Sequence, residues 1–226
     1  MSAEPDQSWL VLLDDVERMR CARMFRPADR QAYAAAHALR RLALASAMGV
    51  APNALHFQVS AQGAPQLLPH ADMTLPSFSL SHTHNAVAVA VGPPGTIGVD
   101  IEENDRTEIS DAMLRHGLGE TDAAALSPLP MPERVERFFD LWTVKEAVSK
   151  AEGLGRSLGF GRIHLAQPDH AVVSGATVRH WKIWRMRPDQ RHFLALAAAL
   201  GTVEPEIQRL DVARLSAWCA EKSAMY

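Results

Sequence analysis

Apolar and polar residues recur along the chain with two periods, one typical of helices and one of strands. Alanine and leucine with interspersed arginines fill residues 30–48, which predicts a long helix that ends at Gly49. Arg40 and Arg41 are interpreted as part of the polar face of this helix. Residues 133–152 repeat apolar positions at helical spacing, which predicts a second long helix.

Shorter apolar runs separated by glycine and proline predict strands. Residues 55–68 indicate two short strands around a turn. Residues 87–91 and 97–101 are strand-like and enclose a Gly-Pro-Pro-Gly segment, so we predict that they form a β-hairpin. Residues 181–186 alternate as a strand does, and 193–199 fit either a strand or a helix, because alanine and leucine favour helices.

The order of these elements predicts an α+β protein of two halves. A helical stretch is expected to begin near Ser110, and three prolines in 127–134 predict a loop before the second long helix. Helix and strands therefore precede a second set of helix and strands. We place the halves at residues 1–104 and 105–226.

Composition excludes several classes of protein. The 226 residues are 47% hydrophobic and 22% charged, with a formal net charge of -3, which disfavours a general nucleic-acid-binding protein. No run approaches the ~20 apolar residues that a membrane span requires, and no signal peptide is recognisable. Cys21 and Cys219 form no paired motif, so reduced thiols are expected. These features predict a cytoplasmic protein that binds neither membrane nor nucleic acid.

Two carboxylates in the second strand of the predicted hairpin are candidates for metal binding. Asp100 and Glu102 project to one face of a strand, while Val99 and Ile101 point to the other face, towards the core. Adjacent carboxylates repel each other unless a positive charge lies between them, and Mg²⁺ prefers such hard oxygen ligands. The alternative is a solvated acidic strand end, since Glu103 follows directly.

A third carboxylate follows on the second long helix. Trp142, Glu146 and Lys150 are spaced four residues apart, so they share one helix face, with Trp142 expected to anchor it in the core. An ordinary Glu–Lys ion pair on a helix surface is the alternative interpretation, and it would contribute only ~0.3–0.5 kcal/mol.

Both segments together resemble the 4′-phosphopantetheinyl transferase superfamily. The motifs that carry the resemblance are G-V-D-I-E at 98–102 and F-x-x-x-W-x-x-K-E-A-x-x-K at 138–150. Residues 79–83, S-L-S-H-T, are similar to the serine-histidine segment of the family, and E-G-L-G at 152–155 is similar to its glycine loop. Gly63-Ala64-Pro65 stands where the family has Gly-Lys-Pro, so Ala64 replaces a lysine. The chain length is typical of the larger, two-lobed, surfactin-type subgroup.

The resemblance implies a fold of two pseudo-symmetric α/β halves with the active site in the cleft between them. It implies that Asp100, Glu102 and Glu146 bind Mg²⁺, for which Mn²⁺ would substitute. Glu146 and Lys150 are the implied catalytic residues. The implied contacts to coenzyme A are Arg30, Arg26, Ser81, His82 and Lys150.

The implied activity is transfer of 4′-phosphopantetheine from coenzyme A to a serine of an apo acyl, peptidyl or polyketide carrier protein, which leaves 3′,5′-ADP. A two-lobed chain carries its own interface, so a monomer is expected. Two other hypotheses stay open at this stage. One is a relative that binds carrier proteins without catalysis, and the other is an unrelated Mg²⁺-dependent phosphohydrolase.

Overall fold

A computed structural model describes residues 4–60, 65–69, 73–95 and 97–224, which form both helices and strands. The helices are α1 (Gln7–Leu12), α2 (Asp15–Ala22), α3 (Pro27–Met48), α4 (Asp111–Leu118), α5 (Glu120–Leu126), α6 (Met131–Ala151) and α7 (Val212–Ala224). The strands are β1 (Phe57–Val59), β2 (Pro65–Leu67), β3 (Ser77–His82), β4 (Val87–Gly92), β5 (Ile97–Glu103), β6 (Ile163–Gln167), β7 (His170–Val173), β8 (Arg179–Met186) and β9 (His192–Ala199). This mixture agrees with the predicted α+β class.

The chain forms two compact units. Unit 1 comprises Met1–Pro94 together with Val203–Tyr226, and unit 2 comprises Gly95–Thr202. The halves predicted from the sequence, 1–104 and 105–226, have different bounds. Strand β5 belongs to unit 2, and the C-terminal segment packs with unit 1.

Unit 1 is organised around helix α3. The helix starts with Pro27 and ends at Gly49, whose positive φ of 67° is the left-handed conformation that closes many helices. Its alanine-rich face packs against the hairpin of β3 and β4 and against α1, α2 and α7. The antiparallel pair of β1 and β2 lies beside its C-terminal end, as the sequence predicted for this region.

Unit 2 is a five-stranded antiparallel sheet with helix α6 packed across one face. The strand order is β5-β9-β8-β7-β6, and α6 contacts β5 and β9 most closely. Helices α4 and α5 pack beside α6 through a second apolar cluster. Residues 193–199 form a central strand, because β9 pairs on both sides and every pairing needs extended backbone.

The predicted hairpin of residues 87–91 and 97–101 is wrong. Strand β4 pairs with β3, with Phe78 opposite Val91, and β5 pairs with β9, with Asp100 opposite Ala195. The Gly-Pro-Pro-Gly segment is therefore a connection between two units rather than a tight turn. Local sequence identified both strands, but strand partners are chosen by long-range packing.

The predicted helices are present, with shifted starts. Helix α4 begins directly after Ser110, whose side chain accepts a hydrogen bond from the backbone of Met113. The loop predicted for 127–134 is shorter, because α6 begins at Met131 with a proline in its first turn. Proline lacks a backbone N–H, but the first turn of a helix does not need that donor.

The interpretation of Arg40 and Arg41 as a polar helix face is wrong. Their residues are only 2% and 1% exposed, and both guanidinium groups bind the buried carboxylate of Glu17 on α2. His37 also contacts this carboxylate, at 2.9 Å. Burial opposes ionisation of Glu17, but the hydrogen bond with His37 and the charges of Arg41 and Arg40 outweigh it and lower the pKa to about 2.

Other predictions for the chain have mixed outcomes. Cys21 and Cys219 are free and buried, as expected, and burial raises the pKa of both thiols. Across the described residues, none of the helices combines the length and the apolar character needed to cross a bilayer. Gly63 and Ala64, the turn in which a family lysine is replaced, lie outside the described residues.

Replacing Glu17 with Gln should destabilise unit 1 by about 3–5 kcal/mol at pH 7, because two buried guanidinium charges would lose their counter-charge. The Glu17 carboxylate stabilises the folded state fully above its unfolded pKa of 4.5. This contribution to the free energy of unfolding is lost as the pH falls towards 2. The difference between wild type and Glu17→Gln in urea denaturation should therefore shrink on acidification.

The matched control is Asp15→Asn on the same helix, which breaks an exposed ion pair with Arg18. Its cost should stay below about 1 kcal/mol, since exposed pairs contribute little. Equal effects of Glu17→Gln and Asp15→Asn would contradict the importance of the buried network.

Candidate functional site

Close packing of β5 on α6 forms the candidate site. A β-carbon built at Gly98 would lie 1.9 Å from the carbonyl oxygen of Ala147, so only glycine allows this approach. Asp100 and Glu102 lie two and four residues after Gly98 on the same strand. Side chains alternate along a strand, so both project to the side of the sheet that faces α6. Gly98 was quoted from the sequence as part of a motif, but its steric role required the structure.

The two strand carboxylates have different surroundings. Asp100 is 3% exposed, and its Oδ1 accepts a hydrogen bond from Lys150 Nζ at 2.7 Å. Lys150 also donates to the carbonyl oxygen of Val99 at 3.1 Å. Glu102 is half-buried, and its Oε1 accepts a hydrogen bond from the indole of Trp142 at 2.8 Å. Both partners come from the face of α6 that the sequence predicted.

Glu146 completes a group of three carboxylates. Burial and then the charge of Asp100 raise the pKa of Glu102 from 4.5 to about 7, and the charge of Glu146 adds to the rise. The hydrogen bond from Trp142 and the ammonium group of Lys150 lower the pKa of Glu102, but their effect is smaller than the rise. Asp100, Glu146 and Lys150 thus each influence the charge state of Glu102.

The donor chemistry of this group fits a hard divalent cation. Carboxylate oxygens are the ligands that Mg²⁺ and Mn²⁺ accept, and a cation would relieve the repulsion that raises the pKa of Glu102. Among the residues that the structure describes, however, no three ligating side chains already converge on one point. Binding one ion through all three carboxylates would therefore require their side chains to move closer together.

Apart from Lys150, the residues implied to contact coenzyme A lie in unit 1. Ser81 and His82 are on β3, with Ser81 buried and His82 exposed. Arg26 is exposed at the start of α3. Arg30 is engaged within its own unit, because it pairs with Glu4 at 2.6 Å and donates to the carbonyl of Met24 at 2.8 Å.

Lys145 supports the site in a way that the sequence interpretation missed. This residue is fully buried, and its Nζ lies 2.5 Å from Oδ2 of Asp122. It also donates to the carbonyls of Leu118, Phe160 and Ile163 at 2.7–2.9 Å. Lys145, which directly precedes Glu146, therefore attaches α6 to the segments that contain Leu118 and Phe160. Its helical spacing from Phe138 and Val148 is the signal that could have indicated burial.

The segment after α6 is held by polar side-chain contacts. Ser149 donates from its hydroxyl to the carbonyl of Gly155. Glu152 accepts hydrogen bonds from Trp181 and Arg179, each at 2.8 Å. The glycine loop that the sequence identified is thus attached to the C-terminal end of the helix that carries Glu146 and Lys150.

Comparison with known proteins found similarity to 4′-phosphopantetheinyl transferases. A family model described as the 4′-phosphopantetheinyl transferase superfamily matches residues 96–197. The chain is 29% identical to a candidate 4′-phosphopantetheinyl transferase of Synechocystis sp., over 76% of this chain and 71% of the relative. It is 27% identical to the 4′-phosphopantetheinyl transferase HetI of Nostoc sp., over 85% and 81%. It is 25% identical to the 4′-phosphopantetheinyl transferase Sfp of Bacillus subtilis, over 70% and 68%.

Replacing Glu102 with Gln should stabilise the metal-free protein at alkaline pH. A carboxyl group whose folded pKa lies above its unfolded pKa contributes stability below pH 4.5 and loses it as the pH rises through about 7. In EDTA, Glu102→Gln should match wild type near pH 4.5 and exceed it by up to about 3 kcal/mol at pH 8. Urea denaturation at several pH values measures this, and a constant difference would contradict the assigned repulsion.

Replacing Trp142 with Phe should move the titration of Glu102 to higher pH. The indole hydrogen bond lowers the pKa of Glu102, whereas a phenyl ring retains the packing on Phe138 and Phe160. The pH at which stability declines should therefore rise in Trp142→Phe. The control is Trp181→Phe, which removes a similar indole–carboxylate bond elsewhere and should leave that pH unchanged. An equal shift in both variants would argue against a specific effect.

Proposed function

We propose that this chain, which belongs to the 4′-phosphopantetheinyl transferase superfamily, transfers the phosphopantetheine group of coenzyme A to a serine hydroxyl of an apo carrier protein. The products are the holo carrier protein and 3′,5′-ADP. The observation that supports this proposal is the group of Asp100, Glu102 and Glu146 with Lys150, in which two separate sequence motifs meet.

In this proposal Asp100, Glu102 and Glu146 hold Mg²⁺, with Mn²⁺ as a substitute. Such an ion would supply positive charge for the pyrophosphate of coenzyme A. The three carboxylates supply the negative charge for this, and the partial desolvation of Asp100 and Glu102 makes their electrostatic interactions stronger than they would be in water.

Glu146 is the proposed general base. Its position on α6 beside the other two carboxylates allows it to remove the proton from the serine hydroxyl, either directly or through a water molecule. Lys150 keeps a partly exposed side chain while it pairs with Asp100. Its ammonium group is the proposed source of positive charge for the phosphates and for the departing 3′,5′-ADP.

Residues of unit 1 are proposed to bind the nucleotide portion of coenzyme A. The exposed Arg26 and His82 are suited to phosphate contacts, and Ser81 precedes His82 on β3. To bind a phosphate, Arg30 would have to give up its ion pair with Glu4. The free-energy cost of that exchange is small, because the Glu4 side chain is exposed to solvent.

The remaining parts of the proposal concern the whole molecule. We retain a cytoplasmic monomer that acts on acyl, peptidyl or polyketide carrier proteins. The pseudo-symmetric pairing of two halves, and the cleft that the family resemblance implies, stay predictions.

Purified protein with coenzyme A and Mg²⁺ should add the mass of one phosphopantetheine group to at least one apo carrier of the three types. Mass spectrometry measures the product directly. Glu146→Gln should reduce the rate about a hundredfold or more, as expected for loss of a general base and metal ligand. Asp100→Asn should have a comparable effect.

The matched control is Glu103→Gln. Glu103 neighbours Glu102 on β5 but alternates to the other face of the sheet, where it pairs with Arg191 at 2.5 Å. This variant should retain activity within a few-fold. Failure to modify any carrier, together with no Mg²⁺-dependent binding of coenzyme A, would favour a non-catalytic relative. Hydrolysis of pyrophosphate without a carrier would favour a phosphohydrolase.

A further inference from the structure

Two histidines form a contact on the sheet of unit 2 that the proposed transferase does not use. His170 on β7 and His180 on β8 lie on adjacent antiparallel strands, where His180 is opposite Val172 and His170 is opposite Lys182. The two histidines are therefore diagonal neighbours on one face of the sheet. Their rings are stacked, with centroids 5.1 Å apart and planes inclined by 29°.

This pair is separate from the carboxylate group. Trp181, which alternates with His180, belongs to the apolar cluster under α6, so His180 lies on the opposite face of the sheet. Strands β9 and β8 also separate β7 from β5, which carries Asp100 and Glu102. His180 is exposed and His170 is half-buried, so solvent reaches the pair.

The distance between the ring nitrogens suits a transition-metal ion. His170 Nε2 and His180 Nδ1 are 3.0 Å apart. With metal–nitrogen bonds near 2.05 Å, this separation corresponds to a nitrogen–metal–nitrogen angle of about 94°. An angle near 90° is that of neighbouring ligands in tetragonal Cu²⁺ and Ni²⁺ sites, whereas tetrahedral Zn²⁺ would need the nitrogens to be farther apart.

We propose that His170 and His180 form a binding site for Cu²⁺ or Ni²⁺, with water in the remaining positions. In the ion-free pair one imidazole donates its N–H to the other. For both nitrogens to bind an ion, the donating ring must carry its hydrogen on its other nitrogen, a change of tautomer that releases no net proton from the neutral pair. Both rings must also turn slightly, because the ion lies off the line that joins the two nitrogens.

The charges beside the pair are balanced. Lys182 lies opposite His170, but its ammonium group is bound by the carboxylate of Asp169. The carboxylate of Asp169 therefore offsets the repulsion that the ammonium group of Lys182 would exert on a bound metal ion. His164 on β6 is an exposed histidine on the same face, since it lies opposite Val172 on the other side of β7. No hydrogen bond joins His164 to the pair among the described side chains, and it provides an internal control.

Isothermal titration calorimetry on the full chain without a histidine tag tests the site. The protein is first stripped with EDTA and then kept in excess Mg²⁺, which occupies hard carboxylate sites. Titration with Cu²⁺ and separately with Ni²⁺ should show one ion per chain, with Cu²⁺ bound more tightly. His170→Asn and His180→Asn should each weaken binding about tenfold or more, and His164→Asn should change it less than about twofold.

Thermal unfolding provides a second measurement on the same variants. An ion that binds the folded chain raises the melting temperature, so Ni²⁺ should stabilise wild type and His164→Asn but not His170→Asn or His180→Asn. Glu102→Gln should keep the full response, which separates this site from the proposed transferase centre. Unchanged affinity in both pair variants would overturn the proposal. An equal loss in His164→Asn would also overturn it, because binding would then be shared among surface imidazoles.

Discussion

The close approach of strand β5 to helix α6 is the constraint on which the rest of the site depends. Gly98 permits it, because any side chain there would collide with the backbone at Ala147. At this separation the strand carboxylates Asp100 and Glu102 reach the helix face that carries Trp142 and Lys150. A wider spacing would leave these groups solvated and independent. The electrostatic character of the site is therefore a consequence of backbone packing.

That packing concentrates negative charge where water cannot screen it well. Mutual repulsion and burial raise the pKa of Glu102, while Lys150 and Trp142 each bind one of the strand carboxylates. The fold tolerates this arrangement because its other buried charges are well paired. Lys145 on the same helix binds three carbonyl oxygens and the carboxylate of Asp122. The helix that carries Glu146 and Lys150 is thus held in place by the buried contacts of Lys145.

The two units treat a desolvated glutamate in opposite ways. In unit 1, Glu17 is paired with Arg40 and Arg41 inside the core, so its pKa is lowered to about 2. In unit 2, Glu102 lacks an equivalent arginine partner among the described contacts, and its pKa rises instead to about 7. The pKa values of two desolvated glutamates of one chain are therefore shifted in opposite directions. The first stabilises its unit, and the second is suited to receive a cation.

The sequence by itself indicated helices α3, α4 and α6 and strands β1, β2, β4, β5, β8 and β9, because helical and strand periodicities are local. It did not indicate α1, α2 and α7 or β3, β6 and β7. The three candidate ligands came from the resemblance of two short motifs to one family. The sequence could not determine that β4 pairs with β3 and β5 with β9, since partners distant in the chain compete for the same backbone groups. The sequence also could not indicate that Arg40 and Arg41 are buried, because their counter-charge, Glu17, lies on another helix. Only the tertiary structure decided which charges are desolvated, and desolvation distinguishes a reactive carboxylate from a solvated one.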